Sequence, residues 1–130
     1  KRGVENLPAI LHALIEHGNS AIMIARGDLA IEVGFENLSL IQEEILSLCE
    51  AAHMPIIYAT QVLENMMKSN LPSRAEITDA AFAQRADCIM LNKGAYAENA
   101  IKILNTILKS MHKLFRKNRQ LLSAETLFKF

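Results

Sequence analysis

The chain has 130 residues, 14 Lys+Arg against 14 Asp+Glu, a formal net charge of +0, 51% hydrophobic residues and 22% charged ones. That balance describes one soluble globular domain and excludes a disordered segment. No basic stripe marks a nucleic-acid partner, and at this length roughly two thirds of the unfolded chain's surface can be buried in a core.

Helix and strand signals alternate along the chain. Leu7, Ile10, Leu11, Leu14 and Ile15 recur at helical spacing and Gly18 follows as a C-cap, which predicts an amphipathic helix over residues 5–17. The stretch SAIMIA is a short strand, apolar on both faces. Residues 37–52 repeat the helix signal, with Ser39 and Gln42 spaced as a capping box and Glu43, Glu44 and Glu50 facing water. PIIYAT is a second continuous strand, and Ser73 with Glu76 forms an S-x-x-E box that opens a further helix. CIML is the third strand, and residues 97–117 form a long helix carrying Ile101, Ile103, Leu104, Ile107, Leu108 and Met111.

Strands apolar on both faces and separated by helices imply a parallel sheet covered by those helices, in an α/β fold that is either an open doubly wound sheet or a closed barrel. In both, ligands gather where the strands end, because the loops there converge. Those ends are polar here: Arg26, Gly27 and Asp28 after the first strand, Thr60, Gln61 and Glu64 after the second, Asn92, Lys93 and Gly94 after the third.

Asp28 interrupts an apolar run, and an unpartnered carboxylate inside a strand costs several kcal/mol, so it is expected at the strand's mouth. Gly27 lets the backbone approach a ligand closely, and amides at a helix start hold anions. A carboxylate beside such an anion points to a divalent cation between them. The alternative is that Asp28 is the N-cap of the following helix.

Other features are less informative. Cys49 and Cys88 are far apart without CxxC spacing and are read as ordinary buried thiols of a reducing compartment. No apolar run approaches the ~18 residues of a membrane span and no signal-peptide core opens the chain, so the cytoplasm is expected and no membrane contact. The four histidines lack zinc-site spacing, and Lys113, Arg116, Lys117 and Arg119 read as a solvated helix end. The first residue is Lys1 rather than Met, which fits processing, trimming, or entry into a longer protein partway.

The stretches AIMIARGDLAIEV, PIIYATQVLENMMKSNLPSRAEITDAAFA and ADCIML together resemble the later barrel strands of pyruvate kinases, in that family's order and spacing. The resemblance is strong over residues 3–92 and rests on the motifs ARGDL, ATQ-x-LE-x-M and P-[ST]-RAE-x-x-D. It implies the C-terminal portion of a (β/α)8 TIM barrel: three parallel strands, the sixth to eighth, with their helices. Residues 1–118 are then a partial barrel of the last three β/α units and 119–130 a short C-terminal tail.

The activity that the resemblance implies is phosphoryl transfer from phosphoenolpyruvate to ADP, giving pyruvate and ATP in glycolysis. By the same match Asp28 ligates Mg2+ or Mn2+, the backbone amides of Gly27 and Asp28 hold the substrate carboxylate, and Thr60 takes part in protonating the enolate and is the catalytic residue. Arg26 and Gln61 are supporting residues, at the site or at a subunit contact. Arg74 and Glu76 match the motif too, although the capping box already explains Glu76. A homo-oligomer is implied for the full-length enzyme, as is a K+ ion whose ligands are not in this chain.

The family's K-I-E strand, with its lysine and second metal-binding glutamate, matches nothing here, and neither Lys1 nor Glu5 inherits those roles. Three strands of eight cannot close a barrel and leave two sheet edges unpaired. The isolated 130-residue chain is therefore expected to be inactive and to fold poorly or associate. The last strand is followed by NKG where many family members have S-G-E-T; some bacterial relatives resemble the NKG form and lack the usual C-terminal domain. Lys93 there stands at a strand end, either facing a phosphate or, as is commoner for a lysine, simply solvated. Two other function classes compete: another metal-dependent barrel handling phosphoenolpyruvate or pyruvate, and a non-catalytic remnant that pairs its open edges with another chain.

Overall fold

A computed structural model describes residues 2–121, with side chains over residues 2–114. Its first helical stretch breaks once. Helix α1 covers Arg2–Glu5 and α2 covers Leu7–His17, joined at Asn6, whose side-chain Nδ2 donates to the Arg2 carbonyl at 2.8 Å. Pro8 sits in the first turn of α2, where its missing N–H costs nothing, and Gly18 closes the helix at φ 71°, donating to the carbonyls of Leu14 and Ile15.

The remaining elements follow the expected alternation: β1 (Ile22–Ala25), α3 (Arg26–Val33), a 3-10 turn (Phe35–Asn37), α4 (Leu38–Ala51), β2 (Ile56–Ala59), α5 (Glu64–Ser69), α6 (Arg74–Phe82), a second 3-10 turn (Ala83–Arg85), β3 (Cys88–Ile89) and α7 (Ala97–Leu121). The expected tail beyond Leu121, the side chains of Arg116, Lys117 and Arg119, and Lys1 lie outside the described residues.

The sheet is parallel throughout, in the order β1-β2-β3. Its register sets Ala25 against Ala59 and Tyr58 against Ile89, so the carboxyl ends of β1 and β2 finish level. This is the α/β architecture of three parallel strands with helices. Among the described residues β1 and β3 each have a single strand neighbour, which leaves the two open edges expected of a partial barrel.

Backbone contacts group the chain into two units, Lys1–Val62 with Arg85–Asn92, and Leu63–Gln84 with Lys93–Phe130. The first unit holds the sheet and α1–α4. Its core includes Leu11, Ile24, Leu46, Cys49, Ile56 and Tyr58. Central β2 is the best covered strand, whereas Met23 on β1 is 53% exposed. Asp87 ties β2 to the start of β3, its carboxylate accepting from the Ile56 N–H at 2.8 Å while its own N–H donates to the Ile56 carbonyl. In the second unit α5 and α6 both pack on α7, around Met66, Met67, Ala80, Ala100 and Leu104. On α7 Ala100 and Leu104 are buried, whereas Ile101 is 56% exposed.

Three further expectations are corrected. Ser39 and Gln42 form no capping box: the 3-10 turn runs directly into α4, Asn37 is its N-cap without a side-chain bond, and Gln42 is buried. Glu43 and Glu50 do not simply face water, since Arg85 bonds the Glu43 carboxylate and lies 3.5 Å from that of Glu50. Cys49 is buried, and burial pushes its thiol pKa up, but Cys88 is exposed because β3 is a two-residue edge strand.

Candidate active site

The chain turns from β1 into α3 without a loop. Ala25 is both the last strand residue and the N-cap, with no side-chain cap bond, so Arg26, Gly27 and Asp28 are the first three helical residues. Asp28 is therefore not an N-cap, which overturns that alternative. It sits at the third helical position, exposed, and its carboxylate has no hydrogen-bond or ion-pair partner among the described residues. The first N–H groups of a helix have no intrahelical acceptor and carry its positive dipole end, so an acid here is favourably placed.

The turn after β2 is strained. Thr60, Gln61 and Leu63 have φ of 66°, 57° and 51°, left-handed values that cost on the order of 1–3 kcal/mol each for residues with a Cβ, and most for a β-branched threonine. Arg26 reaches across from α3 to this turn. Its Nε donates to the Ala59 carbonyl at 3.0 Å, its Nη2 to the Thr60 carbonyl at 2.5 Å, and its Nη1 to the Tyr58 hydroxyl at 3.1 Å. The guanidinium carbon also lies 4.2 Å from the centroid of the Tyr58 ring, a cation–π contact.

Between them runs a direct bond: the Gly27 N–H donates to Thr60 Oγ1 at 3.1 Å. Because that oxygen accepts, the threonine's own proton remains available to donate elsewhere. Arg26, Gly27 and Thr60 are thus brought into contact, with Asp28 next along the same helix turn. Gln61 is exposed beside Thr60, and exposed Asn92 follows β3. An added Cβ on Gly27 would meet only Thr60 Oγ1, at 3.8 Å, so no protein atom demands a glycine there. A cavity of about 280 Å³ opens beside α3 and β1, lined by apolar residues such as Leu7, Ile24 and Ile45 together with the acids Asp28 and Glu32. Among the described residues no three His, Cys, Asp or Glu side chains cluster closely enough to hold a metal by themselves.

In the second unit, the Ser73–Glu76 box forms as expected and does more than cap. The Glu76 N–H donates to Ser73 Oγ at 3.2 Å, the Ser73 N–H donates to the Glu76 carboxylate at 2.8 Å, and the Asn65 N–H of α5 donates to its other oxygen at 2.5 Å. Burial pushes the Glu76 pKa up, but the bonds from Ser73 and Asn65 outweigh it and hold the carboxyl below its ordinary value. Arg74 is exposed at the start of α6, and Lys93 is exposed too. Gly94 has a steric reason: a Cβ there would lie 2.5 Å from the Met67 carbonyl oxygen.

One contributor was missed in the sequence. Tyr58 reads as one more apolar strand residue, yet a fully buried tyrosine in an aliphatic strand needs a partner for its hydroxyl, and that need was the available signal. Gly94 is legible only as a strand-end residue, because its steric cause, the Met67 backbone, lies 27 positions away in the chain.

A family model described as pyruvate kinase, barrel domain, matches residues 1–101. A plastidial pyruvate kinase 3, chloroplastic, from Arabidopsis thaliana is 39% identical over 110 residues, covering 80% of this chain and 18% of that protein. A cytosolic pyruvate kinase isozyme from Glycine max is 41% identical over 113 residues, covering 82% of this chain and 21% of its own length. A crystal structure of a pyruvate kinase from Cryptosporidium parvum superposes with a TM-score of 0.75 at 36% identity, covering 85% of this chain and 23% of that one. The chain thus spans about a fifth of the length of these relatives.

Proposed function

The chain belongs to the pyruvate kinase family, and from that premise we propose that it forms part of the catalytic site for phosphoryl transfer from phosphoenolpyruvate to ADP, yielding pyruvate and ATP. The observation that carries the reading is the contact of Gly27 with Thr60 at the level ends of β1 and β2, beside an acid without a partner among the described residues. Gly27 lowers helix propensity by about 1 kcal/mol relative to alanine, and no neighbouring atom needs the space. A ligand needs it.

In this reading the Asp28 N–H binds the substrate carboxylate at the positive end of α3, and the Gly27 N–H, which donates to Thr60 Oγ1, shares in it as a three-centre donor. The exposed Asp28 carboxylate fits a magnesium or manganese ion, which uses one or two protein carboxylates and completes its shell with substrate oxygens and water. When bound, that ion supplies neutralisation of charge on the transferring phosphoryl group. Thr60, its oxygen held by Gly27, directs its proton outward and serves protonation of the enolate carbon, directly or through a water. Arg26 supports this geometry, and exposed Gln61 stands at its rim.

We further place potassium in the complete enzyme, on ligands outside this chain, and take the complete enzyme to be a homo-oligomer of the cytoplasm with residues 1–118 as its last barrel units. The two separated free cysteines suit a reducing compartment. No helix among the described residues is long and apolar enough to cross a membrane.

The test is a coupled assay of pyruvate formation by the complete translated product containing residues 1–130, with the coding sequence upstream of Lys1 read alongside. Phosphoenolpyruvate- and ADP-dependent turnover that requires a divalent cation, with K-I-E encoded upstream, is the expected result. Failure of the pure product to turn over under any cation would reject the reading.

A further inference from the structure

The geometry points to Arg26 as a positioning residue, whose guanidinium clamps the strained turn after β2 and so holds the Thr60 hydroxyl against the Gly27 N–H. The inference rests on the catalytic reading of Thr60 and Gly27 only for its consequence in turnover.

Left-handed backbone at a threonine needs an external hold, since an isolated chain relaxes to the right-handed or extended regions. Arg26 supplies one. It binds the carbonyls on both sides of the bend, of Ala59 and Thr60, and anchors itself on the hydroxyl and ring of Tyr58, a side chain fully buried at the centre of the sheet. The turn is thereby fixed to the rigid strand. Arg26 also precedes Gly27 directly, so one residue sets both partners of the Gly27–Thr60 bond: the donor through the backbone, the acceptor through the side chain.

Only a guanidinium performs this. Three convergent acceptors and a ring face match the planar fork of arginine, whereas the ammonium of lysine is a point charge that serves one acceptor cluster at a time. The site is half-buried, which shields these bonds from competing water.

Gly27 provides the readout. Its N–H is among the helix-start donors that have no intrahelical acceptor, and the bond to Thr60 Oγ1 protects it. In the complete translated product containing residues 1–130, Arg26→Gln is expected to speed hydrogen exchange at Gly27 on the order of tenfold, while the core amides of Ile24 and Tyr58 change by less than about twofold. Arg26→Lys should restore only part of the protection. Thr60→Val should expose Gly27 as much as Arg26→Gln does, and the double variant should expose it no further. Unchanged Gly27 exchange in Arg26→Gln overturns the proposal, and so does equal acceleration at Ile24 and Tyr58, which makes Arg26 a general stabiliser. In the coupled assay Arg26→Gln should lower turnover on the order of tenfold while Arg26→Lys recovers some of it. Altered Gly27 exchange with unmoved turnover leaves the clamp standing and removes the catalytic reading; reduced turnover with unmoved exchange removes the clamp and leaves that reading.

Discussion

Helices α3 and α6 both begin with an acid at their third position, and the two acids have opposite fates. Glu76 of α6 is taken up by the protein: its two oxygens accept the N–H groups of Ser73 and Asn65, and Ser73 returns the bond. Asp28 of α3 has an identical place in its helix, no serine before it, and no partner among the described residues. An acid that closes its own helix is explained by folding. One that stays open at the positive end of a helix, beside a glycine and a strained threonine, is available to something outside the chain.

Substituting the two acids is the strongest way to break this comparison. Asp28→Asn in the complete translated product should lose on the order of a hundredfold in turnover, equivalent to ~3 kcal/mol of transition-state stabilisation, and should need more divalent cation. Its melting point should barely move, since only a dipole interaction below about 1 kcal/mol is lost. Turnover unchanged in Asp28→Asn would mean that the open acid is ornamental, and the site assignment would fall.

Glu76→Ala should do the reverse, costing about 1–2 kcal/mol in denaturant unfolding through the released Ser73 and Asn65 amides. The Glu76 box also has a pH signature. The Glu76 pKa is lowered in the folded state, so its contribution is complete above the ordinary glutamate value of 4.5 and is lost as pH falls through the lowered folded value. Unfolding measured down this acid range should show a loss that Glu76→Gln flattens. An equal slope in the two proteins would refute the assignment to Glu76.

The smallest effects separate the two box-like spacings. Ser73→Ala should cost about 1 kcal/mol, as for a lost N-cap. Ser39→Ala should lie within ±0.5 kcal/mol of zero, since Ser39 caps nothing and alanine is the better helix former. Thermal denaturation of the pair checks this; equal losses would reinstate the Ser39–Gln42 box.

Those two spacings also mark how far the sequence alone reaches. Alternating apolar strands and amphipathic helices, Gly18 as a C-cap, the Ser73–Glu76 box and the clustering of polar residues at strand ends are local properties, set by periodicities of 2.0 and 3.6 residues and by near-neighbour hydrogen bonds, and they were legible from residue order. The motifs around Asp28 and Thr60 marked the site's location. Tertiary structure decided the rest, wherever a side chain's surroundings come from distant segments. Register brought Ala25 level with Ala59 and so put Gly27 on Thr60. The 3-10 turn removed any need for Ser39. An edge position exposed Cys88, and the Met67 backbone made Gly94 obligatory. Arg26 and Tyr58 lie 32 residues apart in the chain, and only parallel pairing of β1 with β2 makes them one clamp.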